Sequence, residues 1–205
     1  MRDYIDKYKT ILDFIGSNKT ILDVGCSVGN LGILLKQRNN KMTGVDINKA
    51  CTETAKEVYD ELIIGDIESE VTRTKIDKKF DVIIYSETLE HLKEPQDILC
   101  SQKQFIQKDG FMVVVVPNVA FWRNRFLMFL GNWDYKEEGI LDKTHLRFYT
   151  LKTIKELISR AGYTIVEVKI LFHKKRGLNF LKSLLVAILP GLFGLTFAIK
   201  AKPKS

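Results

Sequence analysis

The residues whose types and spacing could do chemistry begin at a glycine-rich turn, Gly25-Cys26-Ser27-Val28-Gly29, with Asp46 standing 21 residues after Gly25. Glycine lacks a Cβ, so it takes positive φ and lets a ligand approach the backbone, while the N–H groups at the start of a following helix face that ligand. An acidic residue at this separation, closing the next strand, reaches the hydroxyls of a ribose. The chemistry indicated is binding of a nucleoside-containing cofactor. Two fingerprints fit the turn with one mismatch each. Ser27-Val28-Gly29-Asn30-Leu31-Gly32 reads as G-x-G-x-x-G with serine in the first place, and Asp23-x-Gly25-x-Ser27-x-Gly29 reads as D-x-G-x-G-x-G with serine in the middle. The turn alone leaves both open, and Ser27 carries strain wherever that middle place needs positive φ.

Other reactive groups are few. The histidines are His91, His145 and His173, and no Ser/His/Asp or Cys/His arrangement calls for a covalent nucleophile. Glu87, Glu90 and His91 fall at i, i+3 and i+4, so a helical turn would place them on one face. Two carboxylates and an imidazole can hold a divalent cation, yet a Glu-His pair at a helix start is more often structural, and no metal is expected.

The elements that must position these groups alternate. An amphipathic helix over residues 3–15 turns Tyr4, Ile5, Tyr8, Ile11, Leu12 and Ile15 to one side. Ile21–Val24 reads as a strand, followed by the turn, a helix carrying Leu31, Ile33, Leu34 and Leu35, and a second strand ending at Asp46. A helix near 49–58 leads to a third strand, 61–64, and residues 68–79 read as a loop with room for one helical turn. A fourth strand, 81–85, puts Ser86 to His91 just beyond its carboxyl end, where parallel sheets carry function. Pro95 suits the first position of a helix running to about Gln107, with Ile98, Leu99, Phe105 and Ile106 inward. Phe111–Val116 is apolar throughout, as a strand buried on both faces should be.

Residues 119–149 are the least regular, with Trp122, Trp133, Tyr135 and Phe148 beside Arg123, Arg125, Asp142, His145 and Arg147. A long connection inside a compact α/β domain is usually functional, which predicts a lid or acceptor pocket. Thr150 is a suitable N-cap and Gly162 a suitable C-terminal residue for a helix between them, followed by strands at 164–171 and 195–202.

Composition narrows the function classes. At 205 residues the chain suits one domain over 1–205. Cys26, Cys51 and Cys100 are odd in number and lack C-x-x-C spacing, so neither a disulfide framework nor a zinc site is expected, and a reduced, cytoplasmic setting is. The first 16 residues lack the apolar run of a secretory signal. A net charge of +7 and a pI near 9.2 raise nucleic acid as a partner, but the basic residues are scattered, with aromatic interleaving only at 121–126, so it is not expected. Residues 178–199 are strongly apolar but contain Lys182, Pro190-Gly191 and Gly194, too broken for a span of about 20 apolar residues. With basic residues on either side, this segment suits peripheral membrane contact.

ILDVGCSVGNLG at 21–32, GVDIN at 44–48, GDIE at 65–68 and FDVIIYSETLEHLKEP at 80–95 together resemble the Rossmann-like S-adenosyl-L-methionine-dependent methyltransferases, in order and spacing. HLRFYTLKTIKELISRAGY at 145–163 is similar to the branch holding ubiquinone-biosynthesis O-methyltransferases and sugar-modification methyltransferases. The resemblance implies an α/β fold with a seven-stranded, mostly parallel sheet of order 3-2-1-4-5-7-6, strand 7 antiparallel, and helices on both faces. It implies that Asp23, Gly25, Cys26, Ser27, Gly29, Asp46, Ile47, Asp66, Ile67 and Ser86 hold the cofactor, with Asp46 on the ribose and Asp66 and Ile67 at the adenine. It also makes a divalent metal conceivable, since some quinone O-methyltransferases depend on one. A small-molecule methyl acceptor, a sugar, a lipid-linked intermediate or a quinone precursor, would lose a hydroxyl proton, and His145 is the residue favoured as base. The rival readings are an NAD-binding oxidoreductase and a non-catalytic module of the same fold in a membrane-associated complex.

Overall fold

The computed structural model describes residues 2–172 and 179–204, so His173 and the basic residues 174–176 lie outside the described residues. The strands are β1 (Thr20–Val24), β2 (Lys41–Asp46), β3 (Glu61–Ile64), β4 (Phe80–Ser86), β5 (Ile106–Pro117), β6 (Tyr163–Leu171) and β7 (Thr196–Pro203). The helices are α1 (Arg2–Ile15), α2 (Asn30–Lys36), α3 (Lys49–Ala55), α4 (Glu70–Arg73), α5 (Pro95–Gln102), α6 (Trp122–Phe129), α7 (Leu151–Arg160), α8 (Asn179–Ile188) and α9 (Pro190–Phe193).

The strands form one sheet of order β3-β2-β1-β4-β5-β7-β6, with β7 antiparallel to both neighbours and every other pairing parallel, as the resemblance implies. Alternation along each strand divides the core between two faces. Leu22, Val24, Ile83, Tyr85, Met112 and Val114 pack with Ile154 and Ile158 of α7. Ile21, Val82, Ile84, Val113 and Val115 pack with Ile11, Phe14 and Leu35 of α1 and α2. Each such aliphatic side chain contributes about 1.5–3 kcal/mol when fully buried, which is why β5 carries four successive valines.

α7 is bounded as its sequence predicts. Thr150 and Thr153 form a reciprocal cap, each hydroxyl accepting from the other's backbone N–H, and Gly162 ends the helix at φ +81°. α5 is shorter than expected. It stops at Gln102, a 3₁₀ turn covers Lys103–Phe105, and Ile106 already pairs with Phe80 at the start of β5. The ladder then skips to Val82 opposite Phe111, and the bulge turns on Gly110, whose absent Cβ would lie 2.9 Å from the Asp81 carbonyl oxygen. Sheet pairing and burial of Ile106 win over helix continuation. α4 is the single turn allowed for between 68 and 79, and among the described residues no helix is long and apolar enough to cross a membrane.

Candidate functional site

The carboxyl ends of β1 to β5 share one edge of the sheet, and two cavities open along it. The first, about 490 Å³, lies over β1, β2 and β3. Its floor is the glycine-rich turn, where Gly25, Ser27 and Gly29 take φ of +79°, +48° and +86°. Ser27 therefore does occupy the left-handed region, at a cost of roughly 1–2 kcal/mol for a residue with a Cβ. Its conformation is held from outside: the Ser27 N–H donates to Asp46 Oδ2 at 2.8 Å, and Asn48 N–H donates to Asp46 Oδ1 at 2.8 Å. Asp46 is thus fixed at the end of β2 with lone pairs left for a diol. Gly25 is required by proximity, since a Cβ there would meet Thr88 Oγ1 at 2.5 Å. Thr88 itself donates to the Val24 carbonyl at 2.8 Å and closes the wall.

Of the residues predicted to hold the cofactor, the structure brings Gly25, Ser27, Asp46, Ile47, Asp66 and Ile67 to this cavity. The other four do not line it. Asp23 is buried beneath the turn, where its carboxylate accepts a 2.6 Å hydrogen bond from the Tyr59 hydroxyl. Cys26 is buried beside it, Gly29 begins α2 against Tyr59 and Val58, and Ser86 is half-buried at the end of β4. Asp66 also serves its own turn, accepting from Glu68 N–H at 2.8 Å. Ile47 is 68% exposed, an apolar surface left uncovered at the rim where a base would stack.

Burial pushes the Asp23 carboxyl up to about 6; the Tyr59 hydrogen bond opposes this and Asp46 adds to it. A carboxyl that holds its proton more tightly when folded stabilises the fold at low pH, and that contribution fades as pH rises through about 6. Between pH 5 and 7.5 the protein is expected to lose thermal stability, and Asp23→Asn, which still accepts from Tyr59, is expected to lose less by an amount on the order of 2 kcal/mol. Melting curves at the two pH values check this; an equal loss in both proteins would contradict it.

The second cavity, about 770 Å³, opens beside the first between α1, the end of β4 and the 119–149 segment. Glu87 and His91 border both cavities and so mark their junction. Sequence spacing puts Glu87 on one helical face with Glu90 and His91, but the structure does not. Glu87 has φ +56°, the 3₁₀ turn begins only at Leu89, and the Glu87 carboxylate pairs with the buried Lys7 of α1. Glu87, Thr88 and Lys7 were missing from the predicted site. Glu87 and Thr88 do lie within the Ser86–His91 stretch that the sequence places beyond β4, but Lys7 lies 80 residues from Glu87 and carries no motif.

His145 borders the second cavity beside His91. Its ring centroid is 4.8 Å from that of His91, in an edge-to-face arrangement. The loop carrying it is fastened to the 3₁₀ turn, because Leu146 and Arg147 N–H both donate to the Glu90 carbonyl, at 2.8 and 3.0 Å. His145 Nδ1 lies 3.1 Å from the Ile140 carbonyl, which can only accept; the Nδ1 proton is therefore used there and Nε2 presents a lone pair. Burial lowers the His145 pKa, the Ile140 carbonyl works against this, and His91 lowers it further.

Glu90 is wholly buried, its carboxylate receives no hydrogen bond from another residue, and burial pushes its pKa up to about 8. Glu90, His91 and His145 each offer a ligand atom, all within 4.8 Å of one another. This donor set would accept a divalent cation, with His145 in the place that the sequence spacing gave to Glu87.

Comparison with known proteins decides between the fingerprints. A family described as a methyltransferase domain matches residues 1–168. The chain belongs to that family. Ubiquinone biosynthesis O-methyltransferase of Rickettsia prowazekii is 30% identical over 170 residues, covering 80% of this chain and 66% of the relative. That of Rickettsia canadensis is 25% identical over 161 residues, covering 77% and 67%. The chain thus spans about two thirds of the length of these curated relatives. Among solved structures, a SAM-dependent methyltransferase from Archaeoglobus fulgidus shares the fold with a TM-score of 0.73 at 19% identity, over 98% of this chain and 94% of that one. Magnesium protoporphyrin IX methyltransferase from Synechocystis, with bound SAH, has a TM-score of 0.68 at 13% identity over 99% and 84%.

The protein is therefore an S-adenosyl-L-methionine-dependent methyltransferase, and the D-x-G-x-G-x-G reading of its turn, with Ser27 in the middle place, is the one that applies. The first cavity fits that cofactor: a glycine-turn floor of Gly25 and Ser27, a fixed carboxylate at Asp46, and an exposed apolar rim at Ile47.

Proposed function

We propose that this methyltransferase methylates a hydroxyl oxygen of a small molecule, a sugar, a lipid-linked intermediate or a quinone precursor, held in the second cavity under the 119–149 segment. The observation that carries the proposal is the position of His145: it borders the acceptor cavity beside His91, which borders both cavities, and the Ile140 carbonyl and the Glu90 anchor hold it there with Nε2 unprotonated. The names of the Rickettsia relatives, which are O-methyltransferases, support the same reading.

When bound, S-adenosyl-L-methionine supplies a methyl group activated as a sulfonium. Asp46 accepts from the ribose hydroxyls, Ile47 and Ile67 cover the base, and Asp66 orients it. Glu87, held by Lys7, keeps a carboxylate at the junction, where a positive charge on the ligand is favoured. His145 takes the acceptor's hydroxyl proton on Nε2, so that the oxygen attacks as an anion. The protein's remaining contribution is alignment of the acceptor oxygen with the methyl group, worth roughly 7–11 kcal/mol in favourable cases. Transfer of labelled methyl to a panel of catechols, sugars and polyprenyl-linked sugars tests the proposal; a product labelled on nitrogen or carbon would overturn it.

The orphaned carboxylate of Glu90 favours a second reading, in which Glu90, His91 and His145 hold a divalent cation that itself activates the hydroxyl. The cytoplasm is the setting we infer, supported by an odd number of cysteines without C-x-x-C spacing.

A further inference from the structure

α6 has no buried residue. Trp122, Phe126, Phe129 and Leu130 follow one another at i, i+4, i+7 and i+8, which is one helical face, and all four are exposed, Phe126 by 56% and Phe129 by 85%. A contiguous apolar face of this kind marks an interaction site rather than ordinary surface. A second one lies close by: Leu184, Ile188 and Leu189, in and just after α8, are each about half exposed or more.

Topology places the two faces together. β6 runs parallel to β5, because each is antiparallel to β7, so their carboxyl ends share the edge of the sheet that carries the site. α6 follows β5 there, and α8 follows β6. The Asn118 side chain, ahead of α6, donates to the Gly191 and Gly194 carbonyls at 3.0 and 2.7 Å and fastens that lead-in to α9. The acceptor cavity opens between them, with Phe121 and Leu127 on one side and Leu171 and Leu195 on the other.

The charge on α6 itself is one-sided. No carboxylate occurs in the 24 residues between Asp109 and Asp134, where Arg123 and Arg125 lie on α6. None occurs from Val168 to Ser205 either; of the lysines in that stretch Lys182 lies on α8, while Lys200 and Lys202 lie along β7 toward the opposite edge of the sheet. A neutral apolar partner would gain nothing from this; an anionic lipid surface would gain both the apolar stripe and the Arg123 and Arg125 cations of α6.

We propose that α6 and the α8–α9 rim seat the enzyme on an anionic membrane surface, with the acceptor cavity opening toward the lipid, so that the acceptor is an amphiphile with its hydroxyl-bearing head in the cavity and its tail in the bilayer. This rests on the methyltransferase reading of the site and extends it to the acceptor's class. Neither face is long enough to span, so the contact is interfacial.

Flotation of the whole protein with vesicles tests it. Vesicles of phosphatidylcholine with about 30 mol % phosphatidylglycerol are expected to carry the protein, and pure phosphatidylcholine vesicles to carry little of it. Replacing Phe126 and Phe129 together by glutamate is expected to weaken the anionic-vesicle binding by about tenfold or more. Both side chains are exposed and line neither cavity, so the melting temperature and S-adenosyl-L-methionine affinity should be unchanged. Absence of flotation, equal flotation on neutral vesicles, or indifference to the double substitution would overturn the proposal. So would a homodimer that the same substitutions dissolve without any vesicle binding. Cofactor affinity is measured separately, so loss of lipid binding and failure of the methyltransferase reading remain distinguishable.

Discussion

Asp46→Ala is expected to weaken S-adenosyl-L-methionine binding by about 10²- to 10³-fold, because hydrogen bonds to a charged acceptor contribute roughly 1.5–3 kcal/mol each and the carboxylate offers lone pairs to two ribose hydroxyls. The effect has a second origin in the protein. The same carboxylate accepts from the Ser27 and Asn48 N–H groups, and Ser27 is held at φ +48° against its own preference. Without Asp46 the turn relaxes and the floor of the cavity changes shape. Asp46→Asn separates the two contributions, since its amide oxygen still accepts from one backbone N–H while the charge is gone; an intermediate loss is expected. Calorimetric titration of the three proteins reads this directly, and equal affinity in all three would remove Asp46 from the cofactor site.

His145→Ala is expected to lower kcat by about 10²- to 10⁴-fold, the usual contribution of a positioned base, while leaving cofactor affinity unchanged. The reason for the separation is geometric: His145 borders the acceptor cavity and does not border the cofactor cavity. The two readings of His145 differ in their response to chelation. If it is the base, EDTA leaves the wild-type rate as it was. If Glu90, His91 and His145 hold a cation, EDTA abolishes activity and Mg²⁺ or Mn²⁺ restores it, and His145 becomes a ligand. A variant with wild-type kcat would contradict both.

The parts of this protein that could be read from its sequence are those whose physics is local. The valine run of β5 declares burial on both faces, the Thr150 cap and Gly162 bound α7, and the glycine turn with Asp46 announces the cofactor cavity. The order of the seven strands came from the four motifs together, since strand periodicity does not say which strands are neighbours. What was not legible depends on contacts distant in sequence. α5 ends at Gln102 because Ile106 is needed against Phe80, a pairing no local signal reveals. Asp23, at the motif's acidic position, turns away from the ligand because Tyr59, 36 residues later, takes its carboxylate. Glu87 leaves the face predicted for it because Lys7 of α1 pairs with it, and His145 takes the vacated place beside Glu90 and His91. The exposed stripe on α6 lies in the segment that reads in sequence as least regular, and its exposure depends on what the fold packs against it.

The central claim is that the cavity over Gly25, Ser27 and Asp46 holds S-adenosyl-L-methionine. Calorimetric titration of the purified protein with S-adenosyl-L-methionine and its demethylated product, with NADH as control, tests it most directly. Micromolar binding of the first two and none of NADH is the predicted result. Tighter binding of NADH, or binding of none of the three, would contradict it.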